Sequence, residues 1–296
     1  MPIATLIAAD TAQGGVISDA CDRLVAAGCA PAEIEWLEPA KALDIGFDGD
    51  IAAARDALLP LEASFDIVVQ LPENRRKMLL VSDMDSTMIT VECIDELADY
   101  AGIKPQIAAI TERAMAGELD FVQALKARVS LLAGLNDTTI QRCLDERIQA
   151  MPGADILVRT MAGWGAHTVL VSGGFTSFTG PVAGMIGFAE VHANVLEIID
   201  GELTGLLLGD IVDASAKRSI LHAAAAAKAM PIHSVLAVGD GANDLLMITA
   251  AVEGNGLGVG YHPRPQLAQA ANFSIRHNDL TALLYAQGIP KSEWAF

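Results

Sequence analysis

The chain has 296 residues, of which 52% are hydrophobic and 19% are charged, a composition typical of a folded globular protein and unlike that of a disordered one. Acidic residues outnumber basic ones and give a formal net charge of -18. That charge repels phosphate backbones and anionic lipid surfaces, so we expect no nucleic acid and no membrane among the partners. The length favours one large domain accompanied by a smaller one.

The cysteines and the N-terminus bear on where the protein works. Cys21, Cys29, Cys93 and Cys143 form no CxxC pair and show no metal-ligand spacing with a histidine, so we interpret them as free thiols in a reducing compartment. The N-terminus has no basic segment followed by a cleavage site, and no apolar run reaches the roughly 18 residues of a membrane helix. We therefore expect a cytoplasmic protein.

Residues 1–75 are predicted to form a small domain of their own. Apolar patterning places strands at 2–9, 33–37, 42–47 and 65–70 and helices at 16–27 and 51–59. This is the βαββαβ order of a ferredoxin-like α+β domain. The polar stretch 71–77 follows as a linker. No motif for chemistry occurs here, so a packing or homodimerisation module is the favoured interpretation, with a regulatory amino-acid-binding module as the alternative.

The apolar run Met78–Val81 is predicted to be a buried strand that leads directly into Asp83-Met84-Asp85-Ser86-Thr87. Helical patterns alone occupy the next segment, about 89–150. They place helices at 94–101, 104–116, 138–151 and, after a capping Asp120, as far as Ala133. An insertion at this point would lie over the carboxyl end of the strand as a lid.

Strands and helices alternate in the remainder of the chain. Strands are predicted at 168–171, 235–238, 256–259 and 273–275, with a helix at 214–230 and a hairpin over 188–208 that turns at Asp200-Gly201. This alternation indicates an α/β fold, in which a mainly parallel sheet has helices on both faces and ligands gather beyond the carboxyl ends of the strands.

Three polar clusters follow predicted strands, at 83–87, 172–174 and 239–244. In a parallel sheet these strand ends meet at one edge, so several carboxylates would repel one another there unless a cation joined them. Hard oxygen ligands suit Mg²⁺, and Asp83 and Asp240 are the first candidates to bind it. Taken alone, an Asp-x-Asp after a strand is more often a helix cap or an Asx turn.

Binding groups for an anion also occur at these positions. Ser172-Gly173-Gly174 offers a hydroxyl and unobstructed backbone N–H groups for a phosphate. It lacks the pattern of a P-loop, so a plain turn is an equal alternative. Lys217, on the predicted helix 214–230, could reach the same edge and neutralise a bound anion. Considered by itself, it would more often be a solvated surface lysine.

Arg128 is predicted to lie on the apolar face of its helix. Phe121, Leu125, Arg128 and Leu132 are spaced i, i+4, i+7, i+11. Its stem could simply snorkel along that face, or its guanidinium could await a carboxylate in bidentate geometry. Glu92, at the start of the helical insertion, could receive an ammonium group. Together the two side chains would describe a zwitterionic amino acid, with phosphate below it on the sheet.

The ordered motifs Asp-Met-Asp-Ser-Thr at 83–87, Ser-Gly-Gly at 172–174, Lys217 and Gly-Asp-Gly-Ala-Asn-Asp at 239–244 resemble those of the haloacid dehalogenase (HAD) superfamily. Within it, the chain is similar to the phosphoserine phosphatase family at Glu92, Met115, Phe121, Arg128-Val129-Ser130-Leu131-Leu132 and Asp200-Gly201-Glu202-Leu203-Thr204-Gly205. The resemblance covers about residues 76–288. It implies a HAD-like, Rossmannoid parallel sheet over 76–296 with a helical cap inserted at about 89–150, and it loosely suggests an ACT-like domain over 1–75.

The resemblance also implies a role for each matching residue. Asp83 would be the nucleophile that forms an aspartyl-phosphate, and Asp85 the general acid and base. Mg²⁺ would be held by Asp83, the backbone carbonyl of Asp85 and Asp240, with Asp244 in support. The substrate would contact the remaining matched residues: Glu92, Met115, Phe121, Arg128, Ser172, Gly173, Lys217 and Asn243.

The leading hypothesis is therefore Mg²⁺-dependent hydrolysis of O-phospho-L-serine, the last step of serine biosynthesis. One alternative keeps the mechanism but changes the small phosphate ester, or the acceptor, as in phosphate transfer to homoserine. An alternative of another class is a non-catalytic amino-acid sensor that acts through residues 1–75.

Overall fold

The computed structural model of the protein describes residues 1–12, 14–115 and 118–296, without the side chain of Met115. In this part of the chain the strands form two sheets, one of four strands and one of seven. None of the described helices is long and apolar enough to cross a membrane.

The four-stranded sheet is built from the N-terminal residues. Its elements are β1 (Ile3–Ala8), α1 (Gly14–Ala26), β2 (Ala30–Glu38), β3 (Ala42–Asp48), α2 (Ile51–Leu58) and β4 (Phe65–Gln70). The strands lie in the order β2-β3-β1-β4 with antiparallel neighbours. The predicted ferredoxin-like arrangement is confirmed. An ACT-like relationship stays a prediction.

Strands β1, β3 and β4 of this sheet are largely buried on both faces, whereas the edge strand β2 is mostly exposed. Leu6, Leu43 and Phe47 pack with the two helices in a core of their own, whereas Ile7 and Val68 belong to the same apolar cluster as the main core of the chain. Arg75, in the predicted linker, ties the two parts together. Its guanidinium donates to both carboxylate oxygens of Asp44, at 2.6 and 2.8 Å, and its Nε donates to the carbonyl of Ala286 at 3.0 Å.

The seven-stranded sheet carries the strand ends where the sequence predicts a site. Its strands are β5 (Leu79–Ser82), β6 (His167–Phe175), β7 (Glu190–Ile199), β8 (Glu202–Leu208), β9 (Val235–Gly239), β10 (Leu257–Tyr261) and β11 (Phe273–Ile275). They lie in the order β11-β10-β9-β5-β6-β7-β8, and all pairs are parallel except β7 with β8. The predicted parallel sheet and its edge hairpin are confirmed.

The helices that follow β4 are α3 (Cys93–Tyr100), α4 (Lys104–Met115), α5 (Phe121–Ser130), α6 (Thr138–Arg147), α7 (Ala154–Gly163), α8 (Thr176–Ile186), α9 (Ala214–Ala227), α10 (Leu245–Glu253), α11 (Pro265–Ala270) and α12 (Ala282–Ala286). They lie on the two faces of this sheet, from α7 onward, and in a unit inserted after β5, α3 to α6. The central strand β5 shows why its sequence is apolar throughout. Leu79 and Val81 pack on the side of α9 and α10, and Leu80 packs on the opposite side, so each residue of the strand is buried.

Several element bounds differ from the sequence predictions. The helix after Asp120 ends at Ser130, before the predicted Ala133, and α6 ends at Arg147, before the predicted Met151. Residue 116, the predicted end of α4, lies outside the described residues. Strand β6 continues through Ser172 to Phe175 with a register shift against β7. The sequence assigned no element to α7, α8, α10, α11 or α12. The stretches of α8 and α10 are apolar nearly throughout, and α11 and α12 are short, so a 3.6-residue period is weak in them. In α7 the buried Ala154, Leu157, Val158 and Met161 do follow a helical period, which the sequence prediction missed.

Helices α3 to α6 form the unit inserted after β5. An antiparallel bridge joins Ile89 to Ala150, and the N–H of Met151 donates to the carbonyl of Met88 at 2.8 Å. These contacts hold the first and last residues of the insertion together. They support the proposal that a helical cap spans about 89–150.

Candidate active site

Asp83 lies just beyond the end of β5 and is only 2% exposed. Its Oδ1 is 2.6 Å from Nζ of Lys217 and accepts the N–H of Met84 at 2.8 Å. Its Oδ2 accepts from Nδ2 of Asn243 at 3.1 Å. A buried carboxylate held by three donors is fixed in one orientation, with its charge offset by a cation.

Asp85 is two residues further on, in the turn that follows β5. Its Oδ1 accepts the N–H of Cys93 at 3.0 Å, and its Oδ2 accepts from the hydroxyl of Ser172 at 3.2 Å. Burial, with the neighbouring Glu92 and Asp83 carboxylates, raises the pKa of Asp85 to about 7 despite the hydrogen bond from Cys93. A carboxyl group with such a pKa can both give and take a proton near neutral pH.

Lys217 and Asp244 are both fully buried beneath this edge of the sheet. Asp213 caps α9 by accepting the N–H of Ala216 at 2.8 Å, and this start of the helix positions Lys217. The Lys217 Nζ donates to Oδ1 of Asp244 at 2.8 Å. Burial alone would lower the pKa of Lys217, but Asp244 and Asp83 outweigh that effect and raise it. Lys217 is therefore charged and shared between two carboxylates.

The loop after β9 packs tightly around Asp244. The Oδ2 atom of Asp244 accepts hydrogen bonds from the backbone N–H groups of Asp240 at 3.1 Å and Gly241 at 3.2 Å. A Cβ on Gly239 would lie 2.3 Å from Cγ of Asp244. Only glycine fits at that position, and Asp244 thereby fixes the turn that directs Asp240 toward Asp83.

Asp83, Asp240 and Asp244 form a group in which one carboxylate oxygen of each residue lies within 4.8 Å of one oxygen of each of the others. Burial and the Asp83 carboxylate raise the pKa of Asp240 to about 6, and the same two causes raise the pKa of Asp244 to about 7. This is the behaviour expected of carboxylates crowded together without enough positive charge. The donor set is all oxygen, which fits Mg²⁺.

A cavity of about 510 Å³ separates these strand ends from the helical cap. Asp83, Asp85, Asp240 and Asn243 line it from the sheet, while the cap contributes Glu92, Phe121 and Arg128. The cavity therefore brings together most of the predicted site residues. Met115, predicted to line the same lid, has its side chain outside the described part of the chain.

The two predicted recognition residues of the cap are still available to a ligand. Glu92 lies at the mouth and accepts the Ser86 hydroxyl at 2.8 Å. Arg128 is partly buried, as the helical spacing predicts, and its Nε donates weakly to the carbonyl of Ala124 at 3.4 Å. No described carboxylate lies within 4.0 Å of its guanidinium.

Gly173 brings the cap and the sheet into close approach. A Cβ at this position would lie 3.1 Å from Cζ of Phe121 and 3.7 Å from the carbonyl of Val212. Ser172 is fully buried, and its hydroxyl oxygen accepts the N–H of Gly174 at 2.8 Å. The absence of a side chain at Gly173 thus leaves its backbone open to the cavity beneath the ring of Phe121.

Two polar residues of the site are absent from the sequence predictions. Asn194, on β7, is 1% exposed; its Nδ2 donates to the carbonyl of Gly173 and its Oδ1 accepts the N–H of Val212, both at 2.8 Å. Arg264 lines the cavity beside Asp240. For the first, the available signal was an asparagine between apolar residues in the predicted hairpin. Nothing in the local pattern singled out the second.

Comparisons with known proteins give the family. Residues 80–249 match the model of the haloacid dehalogenase-like hydrolases. A phosphoserine phosphatase of Streptomyces coelicolor is 42% identical over 219 residues, which are 74% of this chain and 52% of the relative. The chain thus spans about half the length of that protein.

Solved structures agree with the sequence comparison. The crystal structure of a probable phosphoserine phosphatase from Vibrio cholerae in its unliganded form has a TM-score of 0.79 and 32% sequence identity, covering 99% of this chain and 87% of that one. A structure described as a phospho-aspartyl intermediate analogue of phosphoserine phosphatase has a TM-score of 0.64 and 34% identity, covering 71% and 98%. This chain belongs to the haloacid dehalogenase-like hydrolase family, within which it is similar to phosphoserine phosphatases.

Proposed function

We propose that the protein is a Mg²⁺-dependent phosphatase that hydrolyses O-phospho-L-serine to L-serine and phosphate, the last step of serine biosynthesis, in the cytoplasm. One observation carries the proposal. A single cavity is lined by the carboxylates Asp83, Asp85 and Asp240 on the sheet and by Glu92 and Arg128 on the cap. The first set suits phosphoryl transfer, and the second suits an amino acid.

In the first chemical step, a carboxylate oxygen of Asp83 attacks phosphorus while the bond from phosphorus to the serine oxygen breaks. Asp85 gives its proton to the departing oxygen, for which a pKa of about 7 is suitable. Asp83 then carries the phosphoryl group as an aspartyl-phosphate. Asp85, now ionised, takes a proton from water, and the resulting attack on phosphorus releases phosphate and restores Asp83.

The carboxylate group of the sheet edge fits a divalent cation. Asp83, Asp240 and the backbone carbonyl of Asp85 would hold Mg²⁺, and Asp244 would support it through the hydrogen bonds that it accepts from the loop after β9. When bound, the ion neutralises charge on the phosphoryl oxygens and on Asp83. The raised pKa values of Asp240 and Asp244 show that their ionised forms are disfavoured by burial and by Asp83, which an added cation would offset.

The remaining phosphoryl oxygens would be held by the surrounding donors. Gly173 would offer its backbone N–H and Asn243 its side-chain amide at the cavity surface. Ser172 and Lys217, which are buried against Asp85 and Asp83, would add a hydroxyl and an ammonium group from behind these carboxylates. Asn243 and Lys217 already hold Asp83, so the same donors orient the nucleophile and its target. Phosphoryl transfer depends mainly on such positioning and charge stabilisation.

Recognition of the serine part is assigned to the cap. The guanidinium of Arg128, with no described carboxylate within 4.0 Å, would bind the substrate carboxylate, and Glu92 would accept its ammonium group. Phe121 and Met115 would enclose the substrate, and closure over it would exclude bulk water.

Phosphate release from a panel of esters tests the reaction. We expect turnover of phosphoserine that needs Mg²⁺, with phosphothreonine and glucose 6-phosphate at least about tenfold poorer in kcat/KM, a difference of about 1.4 kcal/mol. Asp83→Asn should abolish turnover. Equal turnover of all three esters would contradict the assignment of substrate, and near wild-type activity in Asp83→Asn would contradict the mechanism.

A variant pair on one helix tests recognition. Arg128→Ala should raise KM for phosphoserine by about 100-fold or more, because it removes a charge-assisted bidentate contact worth about 3 kcal/mol. KM for a phosphate ester without a carboxylate should change little. Lys126→Ala, at an exposed site on the same helix, is the matched control. Equal losses on both esters would show that Arg128 is structural.

A further inference from the structure

Arg264 is a charged residue of the catalytic cavity that none of the sequence motifs includes. It follows β10 and lines the cavity together with Asp240, Gly241 and Asn243. The residue is exposed, and no described carboxylate lies within 4.0 Å of its guanidinium. It is therefore a cation at the mouth of the site, on the side of the sheet and opposite the cap.

The backbone around Arg264 is fixed by its neighbours. The N–H of Arg264 donates to the carbonyl of Asp240 at 3.1 Å, and the N–H of His262 donates to the carbonyl of Ile275 at 2.8 Å. Proline occupies both flanking positions, 263 and 265, which restricts φ on either side of the arginine. A Cβ on Gly260 would lie 2.6 Å from Cβ of Pro263, so the strand end and the turn are packed together.

The charges that line the cavity explain what this cation can do. Five carboxylates face it, from Asp83, Asp85, Glu92, Asp95 and Asp240, while Arg128 and Arg264 are the only cations among its described lining residues. Lys217 is not among the lining residues, and its ammonium group is already paired with two carboxylates. Arg128 belongs to the cap. On the sheet side, where the phosphate would enter, Arg264 is the only lining cation among the described residues.

We propose that Arg264 attracts the phosphate group of the substrate to the mouth of the cavity and holds it on the sheet side as it enters and leaves. The identity of the anion as a phosphate rests on the proposed function. Positive charges that line a concave site concentrate anions there and raise their rate of association, and salt weakens this effect. A chain with a net charge of -18 would otherwise repel such a ligand. Arg264 is a binding residue in this scheme and takes no part in proton transfer.

Calorimetric titration of the full-length, Mg²⁺-loaded protein with inorganic phosphate tests the proposal directly. Arg264→Gln should weaken phosphate binding about 3- to 10-fold at low ionic strength, and the difference should fall to about 2-fold or less in 0.3 M salt, where the Debye length is shorter. Arg264→Lys should retain most of the affinity. Arg218→Gln removes one positive charge from an exposed position on α9 and should leave the affinity unchanged.

Turnover of phosphoserine supplies a second measurement. For Arg264→Gln we expect kcat/KM to fall by the same factor as phosphate affinity, with kcat within about 2-fold of the wild type, because the effect is on association. The proposal is overturned if Arg264→Gln and Arg218→Gln have equal effects, if the loss does not depend on salt, or if kcat alone falls.

Phosphate binding and turnover separate this proposal from the proposed function. If the wild type binds phosphate through Arg264 but does not hydrolyse phosphoserine, the proposed substrate is wrong and the role of Arg264 stands. If the wild type hydrolyses phosphoserine and Arg264→Gln binds phosphate as tightly as the wild type at low salt, the role of Arg264 is wrong and the proposed function stands.

Discussion

Replacing Asn194 with alanine removes a side chain that joins the segment 172–174, which we propose binds phosphate, to the residues before α9. Its amide donates to the carbonyl of Gly173 and accepts the N–H of Val212. The residue after Val212 is Asp213, the cap of the helix that carries Lys217. Asn194 thus positions two segments of the site without contacting the proposed substrate.

The cost of this substitution follows from the two bonds. Both are 2.8 Å long, and Asn194 is 1% exposed, so Asn194→Ala leaves a buried carbonyl and a buried N–H without partners. Each such group costs about 1–3 kcal/mol, and we expect a total loss of about 2–4 kcal/mol in the free energy of unfolding. Displacement of Gly173 and Lys217 should also lower kcat/KM by about 10- to 100-fold.

Asn272 provides a matched control. Its Oδ1 accepts the N–H of Gly258 at 2.9 Å and its Nδ2 donates to the carbonyl of Gly256 at 3.0 Å, so it makes the same kind of bridge, but outside the catalytic cavity. Urea unfolding and phosphate release, both measured well below the melting temperatures, should show a loss of stability in both alanine variants and a loss of kcat/KM in Asn194→Ala alone. Equal kcat/KM in the two variants would refute a positioning role for Asn194.

Further predictions concern the N-terminal sheet, the loop after β9 and the metal group. Arg75→Ala should lower the free energy of unfolding by about 2–4 kcal/mol because its pair is largely buried, whereas Arg76→Ala, whose ion pair is about half exposed, should change it by less than about 0.5 kcal/mol. Gly239→Ala places a Cβ against Asp244 and should abolish Mg²⁺-dependent turnover, measured as phosphate release. The folded-state pKa values of Asp240 and Asp244 are raised from 3.8 to about 6 and about 7. Because these two carboxyl groups bind protons more tightly in the folded state, protonation stabilises the folded protein fully below pH 3.8, and this stabilisation is lost as the pH rises through 6 and 7. Thermal melts should show that Mg²⁺ stabilises the protein more at pH 8 than at pH 5, and that Asp240→Asn reduces the difference.

The strand ends could be predicted because their signals are local. Leu79–Ser82 is buried on both faces, so its apolar run identifies it as a strand without knowledge of the neighbouring strands. Asp83 and Asp85 follow this strand directly in the sequence. The ferredoxin-like order of the N-terminal sheet was predictable for the same reason: short apolar runs mark β1, β3 and β4, and amphipathic patterns mark α1 and α2. Helices α8 and α10 were missed because their exposed positions carry apolar or small residues, such as Gly184, Met185 and Leu246, so the contrast of polar and apolar residues on which the period depends is weak.

The positions of Asn194 and Arg264 could not be derived in this way. Asn194 acts on Gly173, which lies 21 residues earlier, and only the register of β7 against β6 brings them together. Arg264 enters the cavity because its backbone is bonded to Asp240, 24 residues earlier. Such contacts depend on how the strands are ordered and where they end, and the residues next to Asn194 and Arg264 in the sequence indicate neither.

Lys217 shows how the structure changes the electrostatic interpretation of the site. The sequence suggests that this lysine supplies the positive charge that an anionic substrate needs. In the structure its single charge is shared between Asp83 and Asp244, at 2.6 and 2.8 Å, and Asp85 and Asp240 add further negative charge around the same cavity. One ammonium group cannot neutralise this set, so a phosphate would still meet net repulsion. A divalent cation at the three clustered aspartates and the guanidinium of Arg264 at the mouth would offset much of this negative charge, and each should therefore strengthen the binding of phosphate even though neither directly replaces the other.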